Sequence, residues 1–442
     1  MKNDHPTIQA FRALRQSEQR APELNLEMLK VIARECGADD AGVVRLDREE
    51  LDGERPFVLQ AFPQTQSLIS IVVRMSPEPL RSTARSVANK EFHAATDEID
   101  MVARKIVLRL RDLGVSALNT AAGFPMEMSE TPGRAWIVSH KIVAEAAGLG
   151  RMGIHRNVIH PIFGNFILLS TVLVDAKVAD ESAPIDYNPC LECKLCVAAC
   201  PVGAIASDGR FDAIACLNHN YREFFGGFND WVQTVADSSS GKAYQEKVSD
   251  QETASMWQSL SFGANYKSAY CLAVCPAGED VIGPFLTDKS GFIRRTLSPL
   301  QEKIEPVYVV AGTDAENHVT KRFPYKTVRR IRSGVMPPTV KRLMGTMPLV
   351  FQRGQSKGVR AVYHFQFTGG ESIEVTMTIA DQMLDIQSGL IGRADLRVTV
   401  DSKAWLEFLA KKRSLAWMLV TRALRLKGNP KLLAEFGRCF PT

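Results

Sequence analysis

Short apolar runs alternate with segments of helical periodicity through the first 180 residues, the pattern of an α/β domain. Ala41 to Leu46, Leu68 to Val73, Val115 to Asn119 and Phe166 to Val174 are predicted as strands. Between the second and third runs, Ile99, Val102, Ile106, Leu110 and Leu113 fall on one helical face. Asp97 and Glu98 place negative charge at its start, and Gly114 supplies a stop. An amphipathic helix is therefore predicted from Asp97 to Leu113, and another from Ser139 to the turn Gly148-Leu149-Gly150.

The texture changes at Asn188, where Pro, Cys and Gly take over as far as Pro276. Residues 218–269 form an insert carrying Tyr221, Phe224, Phe225, Phe228, Trp231 and Trp257. It reads either as a helical cover keeping water from the cysteines or as a surface that touches substrate. Residues 312–337 hold Lys321, Arg322, Lys326, Arg329, Arg330 and Arg332, and read as a solvated basic linker or as a docking patch for an acidic redox partner. Beyond them, Val362 to Phe367, Ser372 to Ile379, Met383 to Ile386 and Leu396 to Val400 are predicted as consecutive strands. Helices follow at Ser402 to Lys412 and Leu415 to Ala423, then a strand Leu424 to Lys427 and a last helix after Asn429-Pro430. The expected organisation is an α/β domain over 1–183, a ferredoxin-type domain over 184–300 containing the insert, a linker over 301–337 and an α+β unit over 338–442.

Composition narrows the class. With 442 residues, 45% hydrophobic and 23% charged, the chain can bury a core in two or three domains, which excludes wholesale disorder. A net charge of +5 is too mild to argue for nucleic acid unless it is concentrated somewhere, so no nucleic-acid partner is expected. No run of about 18 apolar residues is present, so no integral membrane segment is expected. Met1 to Glu18 lacks the apolar core of a secretory leader, and the expected compartment is the cytoplasm. Thiols stay reduced there, so clustered cysteines are read as metal or redox groups before disulfides.

Seven of the nine cysteines lie between 190 and 275. Cys190-x2-Cys193-x2-Cys196-x3-Cys200-Pro201 is the spacing that wraps three thiolates around one 4Fe–4S cluster and sends the fourth to a neighbour. Zinc would need only four ligands and would leave Cys216 and Cys271-x3-Cys275-Pro276 unexplained. By that logic Cys190, Cys193 and Cys196 pair with Cys275, while Cys200, Cys216 and Cys271 hold a second cluster one cysteine short. Ser268 occupies the missing position. The second site then has a non-cysteine ligand (Ser268, Tyr270 or His219), an open iron or a three-iron species, or it is absent. Cys36 and Cys439 stand apart and are expected to be buried small hydrophobes.

Residues 30–290 resemble the epoxyqueuosine reductases and their relatives the reductive dehalogenases. The resemblance is carried by Ala147-Gly148-Leu149-Gly150-Arg151-Met152-Gly153, by Phe163-Gly164-Asn165 leading into a strand, and by the cysteine order that follows. It implies cobalamin held base-off beside the nearer cluster, and an oxidoreductase fed by reduced ferredoxin or flavodoxin. Gly148, Gly150 and Gly153 would let backbone approach the macrocycle, and Ser139, His140, Lys141, His155, Arg156 and Asn157 would meet its amides. Counting back from Gly150, the family's catalytic aspartate falls near Arg134, so epoxyqueuosine reduction itself is in doubt. Glu127, Glu130, Lys141 and Tyr221 are the remaining candidates for proton transfer.

The C-terminal hundred residues resemble the sterol carrier protein type 2 family through Tyr363 to Gly369, through Leu396 to Leu409, and through Leu424 to Asn429. That resemblance implies an α+β lipid-binding unit in which Trp405, Phe408, Leu415, Trp417, Met418 and Leu419 line a tunnel or a filled core. A degenerate copy kept for homodimer contacts is the alternative. The combined expectation is a reductase that cleaves a carbon–halogen or carbon–oxygen bond in a hydrophobic or lipid-like molecule. A cobalamin-free electron-transfer or redox-sensing protein with a lipid-binding unit is the competing reading.

Overall fold

The apolar runs of the N-terminal part form one sheet. β1 (Asp40–Arg45), β2 (Ser67–Arg74) and β3 (Ala117–Asn119) come first, then the short hairpin of β4 (Arg151–Met152) and β5 (Val158–Ile159), then β6 (Ile167–Val174). The sheet order is β1-β2-β6-β3, as seen in a computed structural model that describes residues 5–15, 24–127, 134–332 and 337–441. Every neighbouring pair is antiparallel. Alternation of apolar runs with helices does not encode strand direction, so this feature of the mixed α/β fold emerges only in three dimensions.

Strand β2 is buried from Ser67 to Val73 because both of its faces are covered. Leu29 and Ile32 of the helix Leu26–Cys36 and Ile99, Val102 and Ile106 of the helix Arg85–Asp112 pack on one face. Val143 and Ala146 of the helix His140–Ala146 pack on the other. The long helix starts twelve residues before the predicted position because Ala88, Phe92 and Ala95 extend its buried stripe. Asp97 and Glu98 mark its solvent side rather than its end.

The stretch expected as a linker is folded. β7 (Pro306–Val310) and β8 (Thr327–Ile331) pair in parallel around the helix Asp314–Arg322. Val307, Val309, Ala315, Val319 and Phe323 share one core with Cys196, Cys200 and Ala215. The basic residues mislead because their partners are remote in sequence. Lys326 is buried against Glu305 at 2.9 Å and the Lys303 carbonyl at 2.6 Å, Arg330 meets Glu316 at 2.6 Å, and Arg332 meets Asp237 at 2.8 Å. A buried ammonium is tolerated when its donors are satisfied.

The insert folds as the helices Gly226–Ala236, Gly241–Gln245 and Asp250–Phe262, in line with a helical cover. Glu223 pins it by accepting from Ser259, Lys267 and the Asn265 N–H.

In the C-terminal unit β9 (Ala361–Thr368), β10 (Ile373–Ala380), β11 (Met383–Ser388), β12 (Leu396–Asp401) and β13 (Leu424–Gly428) are ordered β11-β10-β9-β12-β13, with only β9 and β12 parallel. Phe365 lies 5.9 Å from Phe367, 5.6 Å from Trp405 and 5.0 Å from Phe436, ring centre to ring centre. These rings fill the interior between sheet and helices. Trp405 and Met418 are inside as expected, but Trp417 and Leu419 lie on the surface. Cys439 is buried in this core, and Cys36 is half-buried on its own helix. Among the described residues, no helix is long and apolar enough to cross a membrane.

Candidate functional site

Cys190, Cys193 and Cys196 lie on a loop leading into the short helix Leu195–Ala199. Between them Glu192 and Lys194 adopt left-handed backbone, φ 48° and 63°, a conformation that non-glycine residues hold only where the surroundings demand it. With Cys275 the three thiols border a shallow recess shared with His155 and Pro276. Burial, then Cys271, Cys275, Cys193 and Cys190, push the Cys196 thiol well up. Burial also pushes Cys275 up to about 12, with Cys193 and Cys190 adding to it.

His155 tests the fit to a cluster. Its Nδ1 accepts the Asn157 N–H at 3.1 Å, which leaves the proton of the neutral ring on Nε2. Burial, then the Lys141 ammonium, hold its pKa down at about 4, so the ring is neutral near pH 7. Nε2 is buried with no protein partner. Four thiols around a recess, with a spare N–H beside them, suit a 4Fe–4S cluster, whose sulfurs accept such hydrogen bonds. Among the described residues no three His, Cys, Asp or Glu side chains converge on a single-ion site.

The other thiols form a second group. Burial, then Cys271 and Cys200, push Cys216 well up, while burial and Cys200 push Cys271 up to about 12. Thiols this reluctant to ionise become thiolates only against a strong local cation. The Cys200 sulfur also accepts the Ala204 N–H at 3.3 Å.

Of the candidates for the fourth ligand, Ser268 and Tyr270 are engaged elsewhere. The Ser268 hydroxyl donates to Asn220 Oδ1 at 3.2 Å, and that oxygen also accepts the Ser268 and Ala269 N–H groups at 3.0 and 2.6 Å. Tyr270 donates to Glu305 at 2.6 Å. His219 differs: its Nδ1 accepts the Tyr308 N–H at 3.3 Å, while its Nε2 is buried with no hydrogen-bond partner among the described residues. Replacing Ser268 by cysteine is expected to add about one iron per chain and to remove any three-iron signal from the electron paramagnetic resonance spectrum. Unchanged iron and spectrum would mean that a fourth ligand is already in place.

The residues assigned to a corrinoid do not fit one. A Cβ on Gly148 would meet the Ala183 carbonyl at 2.2 Å, and one on Gly150 the Ile159 carbonyl at 2.4 Å. On Gly153 it would meet Ile159 Cδ1 at 2.8 Å. These glycines admit the protein's own chain. His140 is satisfied by Thr171 Oγ1 at 2.9 Å and the Ala121 carbonyl at 3.0 Å. Lys141 donates to the Arg156 carbonyl and Asn157 Oδ1 at 2.6 and 3.2 Å. The Ser139 N–H donates to Glu54 at 2.7 Å, and Arg156 to the Gly209 carbonyl at 3.3 Å. Phe163-Gly164-Asn165 has a different task. Gly164, at φ 65°, lies against the Ala277 carbonyl, where a Cβ would sit at 2.1 Å, and Asn165 donates to the Leu272 carbonyl at 3.2 Å. The motif thus locks the N-terminal sheet onto the Cys275-Pro276 loop.

A second, shallow recess is lined by Thr120, Glu127, Ala135, Trp136, Val138 and His140. The Trp136 indole is fixed by donation to the Gly123 carbonyl at 2.9 Å. Glu130 lies outside the described residues. Arg134, at the position of the family's aspartate, pairs with Glu54 and stands 4.0 Å from the Phe57 ring centre. Phe124 stacks on Phe224 at 4.9 Å, and Phe224 meets Tyr221 at 5.8 Å. Burial, then Tyr266, Cys216 and Cys271, push Tyr221 well up, so this aromatic run reaches from the recess toward the second thiol group. Burial lowers Lys141 while Cys271 and Cys216 favour its charge. Of these adjacent residues of one helical turn, His140 lines the recess, and the Lys141 ammonium, held by Arg156 and Asn157, lies within electrostatic reach of Cys216 and Cys271. Sequence reasoning misses Trp136 and Asn220, because a lone Trp or Asn has no spacing to betray it.

Residues 183–206 match the family model described as 4Fe-4S binding domain, and residues 351–441 match the SCP-2 sterol transfer family. The chain is similar to the epoxyqueuosine reductase of Cellulophaga algicola (strain DSM 14237 / IC166 / ACAM 630), 30% identical over 118 residues, which are 24% of this chain and 38% of that protein. The chain therefore spans well under half of that relative's length. A solved epoxyqueuosine reductase with a tRNA-Tyr epoxyqueuosine-modified stem loop is 17% identical, with TM-score 0.31, over 43% of this chain and 56% of that one. The catabolic reductive dehalogenase NpRdhA is 19% identical, with TM-score 0.33, over 41% and 25%. The chain thus combines sequence similar to epoxyqueuosine reductases with a 4Fe–4S domain and, C-terminal to that domain, an SCP-2 unit, as the resemblance implied.

Proposed function

We propose that the protein is an iron–sulfur oxidoreductase that reduces a small, largely apolar molecule in the recess beside Glu127, Trp136 and His140. When bound, two 4Fe–4S clusters supply single-electron transfer. Cys190, Cys193, Cys196 and Cys275 would hold the first, near the surface, and Cys200, Cys216 and Cys271 the second. The reading is carried by one observation: on one helical turn His140 lines the recess while Lys141 lies within electrostatic reach of the second thiol group. Trp136 would set the plane of the substrate, and the insert would exclude water. Cleavage of a carbon–halogen bond takes two electrons and one proton and releases halide. Glu127 is the acid that lines the recess.

The donor is proposed to be a reduced ferredoxin or flavodoxin docking over the first recess, where Leu191 is 45% exposed. A cytoplasmic setting would keep the thiols available. The expectation of no nucleic-acid partner is withdrawn, since an epoxyqueuosine reductase has been solved with a tRNA stem loop. Such a stem loop therefore joins the substrates to be assayed.

The test is anaerobic reconstitution followed by turnover with reduced viologen against halogenated phenols, epoxides and the stem loop. About seven or eight irons per chain are expected, with oxidation of the dye by a small aromatic substrate that Ala135→Trp, narrowing the recess, abolishes. About four irons would remove the second centre and this reading with it. Hydroxocobalamin added during reconstitution is expected to elute apart from the protein; co-elution of corrin bands would restore the cobalamin-dependent form. Turnover that survives Ala135→Trp would move the substrate elsewhere.

A further inference from the structure

We propose that the C-terminal unit seats the protein on an anionic lipid surface through the helix Leu415–Val420 and the edge strand β13. Charge is the first observation. Residues 411–427 contain six lysines and arginines and no acid. Lys411 and Lys412 precede the helix, Arg422 follows it, and Arg425 and Lys427 lie on β13, all exposed. The segment is thus a run of six cations in 17 residues with no carboxylate of its own.

The second observation is apolar exposure within the same segment. The helix buries only Met418, while Trp417 is 43%, Leu419 44% and Val420 84% exposed. Trp417 is held upright by Arg413, whose guanidinium lies 4.0 Å from the ring centre and is itself paired to Glu407. A six-residue helix that turns a Trp, a Leu and a Val outward between cations has the composition of an interfacial segment: aliphatic groups enter the acyl boundary, the indole sits at headgroup level, and the cations meet lipid phosphates.

The two observations together select the occupant. A second copy would bring two such cationic faces into contact. A nucleic acid would take up the cations but leave Leu419 and Val420 against water. Only an anionic lipid surface satisfies both. The inference does not depend on the redox reading, and it gives the unit a lipid role at its surface while aromatic rings fill its interior.

The test is flotation of the full chain with vesicles of phosphatidylcholine alone, or of phosphatidylcholine with an equal part of phosphatidylglycerol. Binding is expected to the mixed vesicles and to fall as salt rises. Val420→Asp with Leu419→Asp, and separately Lys411→Glu with Lys412→Glu, should each weaken it at least tenfold. All four positions are exposed, so the melting temperature should not move. Trp417→Phe should remove a blue shift in fluorescence that accompanies binding. The proposal is overturned by equal binding to neutral vesicles, by variants that bind like the parent, by a dimer that Val420→Asp dissolves without vesicles present, or by binding of a tRNA stem loop but not of vesicles.

Discussion

With Cys275 replaced by serine, the reconstituted protein is expected to hold about three or four irons and about four sulfides per chain in place of about seven or eight irons. Cys275 lies with Ile159 and Ala277 in a small buried cluster against Cys190, at the floor of the first recess. It is the one thiol of the second cysteine motif that lines that recess. Serine keeps the shape but is a far poorer ligand for iron. Cys200, Cys216 and Cys271 are untouched, so the second centre should still assemble. Dye-linked electron uptake should fall at least tenfold, because the route from the surface begins at the first recess. Retention of the full iron complement would break the assignment of Cys275. Loss of all iron would show that the two groups assemble only as one unit.

Phe365→Ala is expected to cost the C-terminal unit about 3–5 kcal/mol, read from denaturant unfolding with the cluster absorbance unchanged. Phe365 is fully buried and its ring meets Phe367, Trp405 and Phe436 within 6 Å, centre to centre. Nothing nearby is small and mobile enough to close the space left behind. A typical domain is stable by about 5–15 kcal/mol, so this one change removes a large fraction. The same measurement separates a filled interior from a lipid tunnel. If a tunnel ran past Phe365, truncation would merely widen it, and the loss would be about 1 kcal/mol or less.

What could be read in the chain depended on how local its cause was. The cysteine order was legible because ligand spacing on a loop is a local property, and the strands of the C-terminal unit fell within a residue or two because their turns are local as well. The start of the helix Arg85–Asp112 was misplaced because Asp97 and Glu98 resemble a helix beginning wherever they occur. The glycines at 148, 150 and 153 pointed to a ligand, but what approaches them is the chain at Ile159 and Ala183, contacts that no spacing rule encodes. Arg330 and Arg332 looked solvated because Glu316 and Asp237 are brought to them only by folding. The commitment of Ser268 to Asn220 was invisible for the same reason, since 48 residues of insert separate them.

The β7–helix–β8 unit sets where the molecule can be divided. Ala315 and Val319 pack beneath Cys200, while the neighbouring Asp314 accepts the Gly354 N–H at 2.7 Å and donates its own N–H to Gln352 at 2.8 Å. A redox fragment cut at residue 300 would lose the floor under its second thiol group and expose the partners of Cys196 and Cys200 to water. A fragment that ends after Arg332 keeps that floor and the Arg332–Asp237 pair, and gives up the Asp314 contacts and the packing of the helix Val340–Val350 on the helix Ala213–His219, so the cysteine-bearing part and the C-terminal unit can be studied apart with a defined loss.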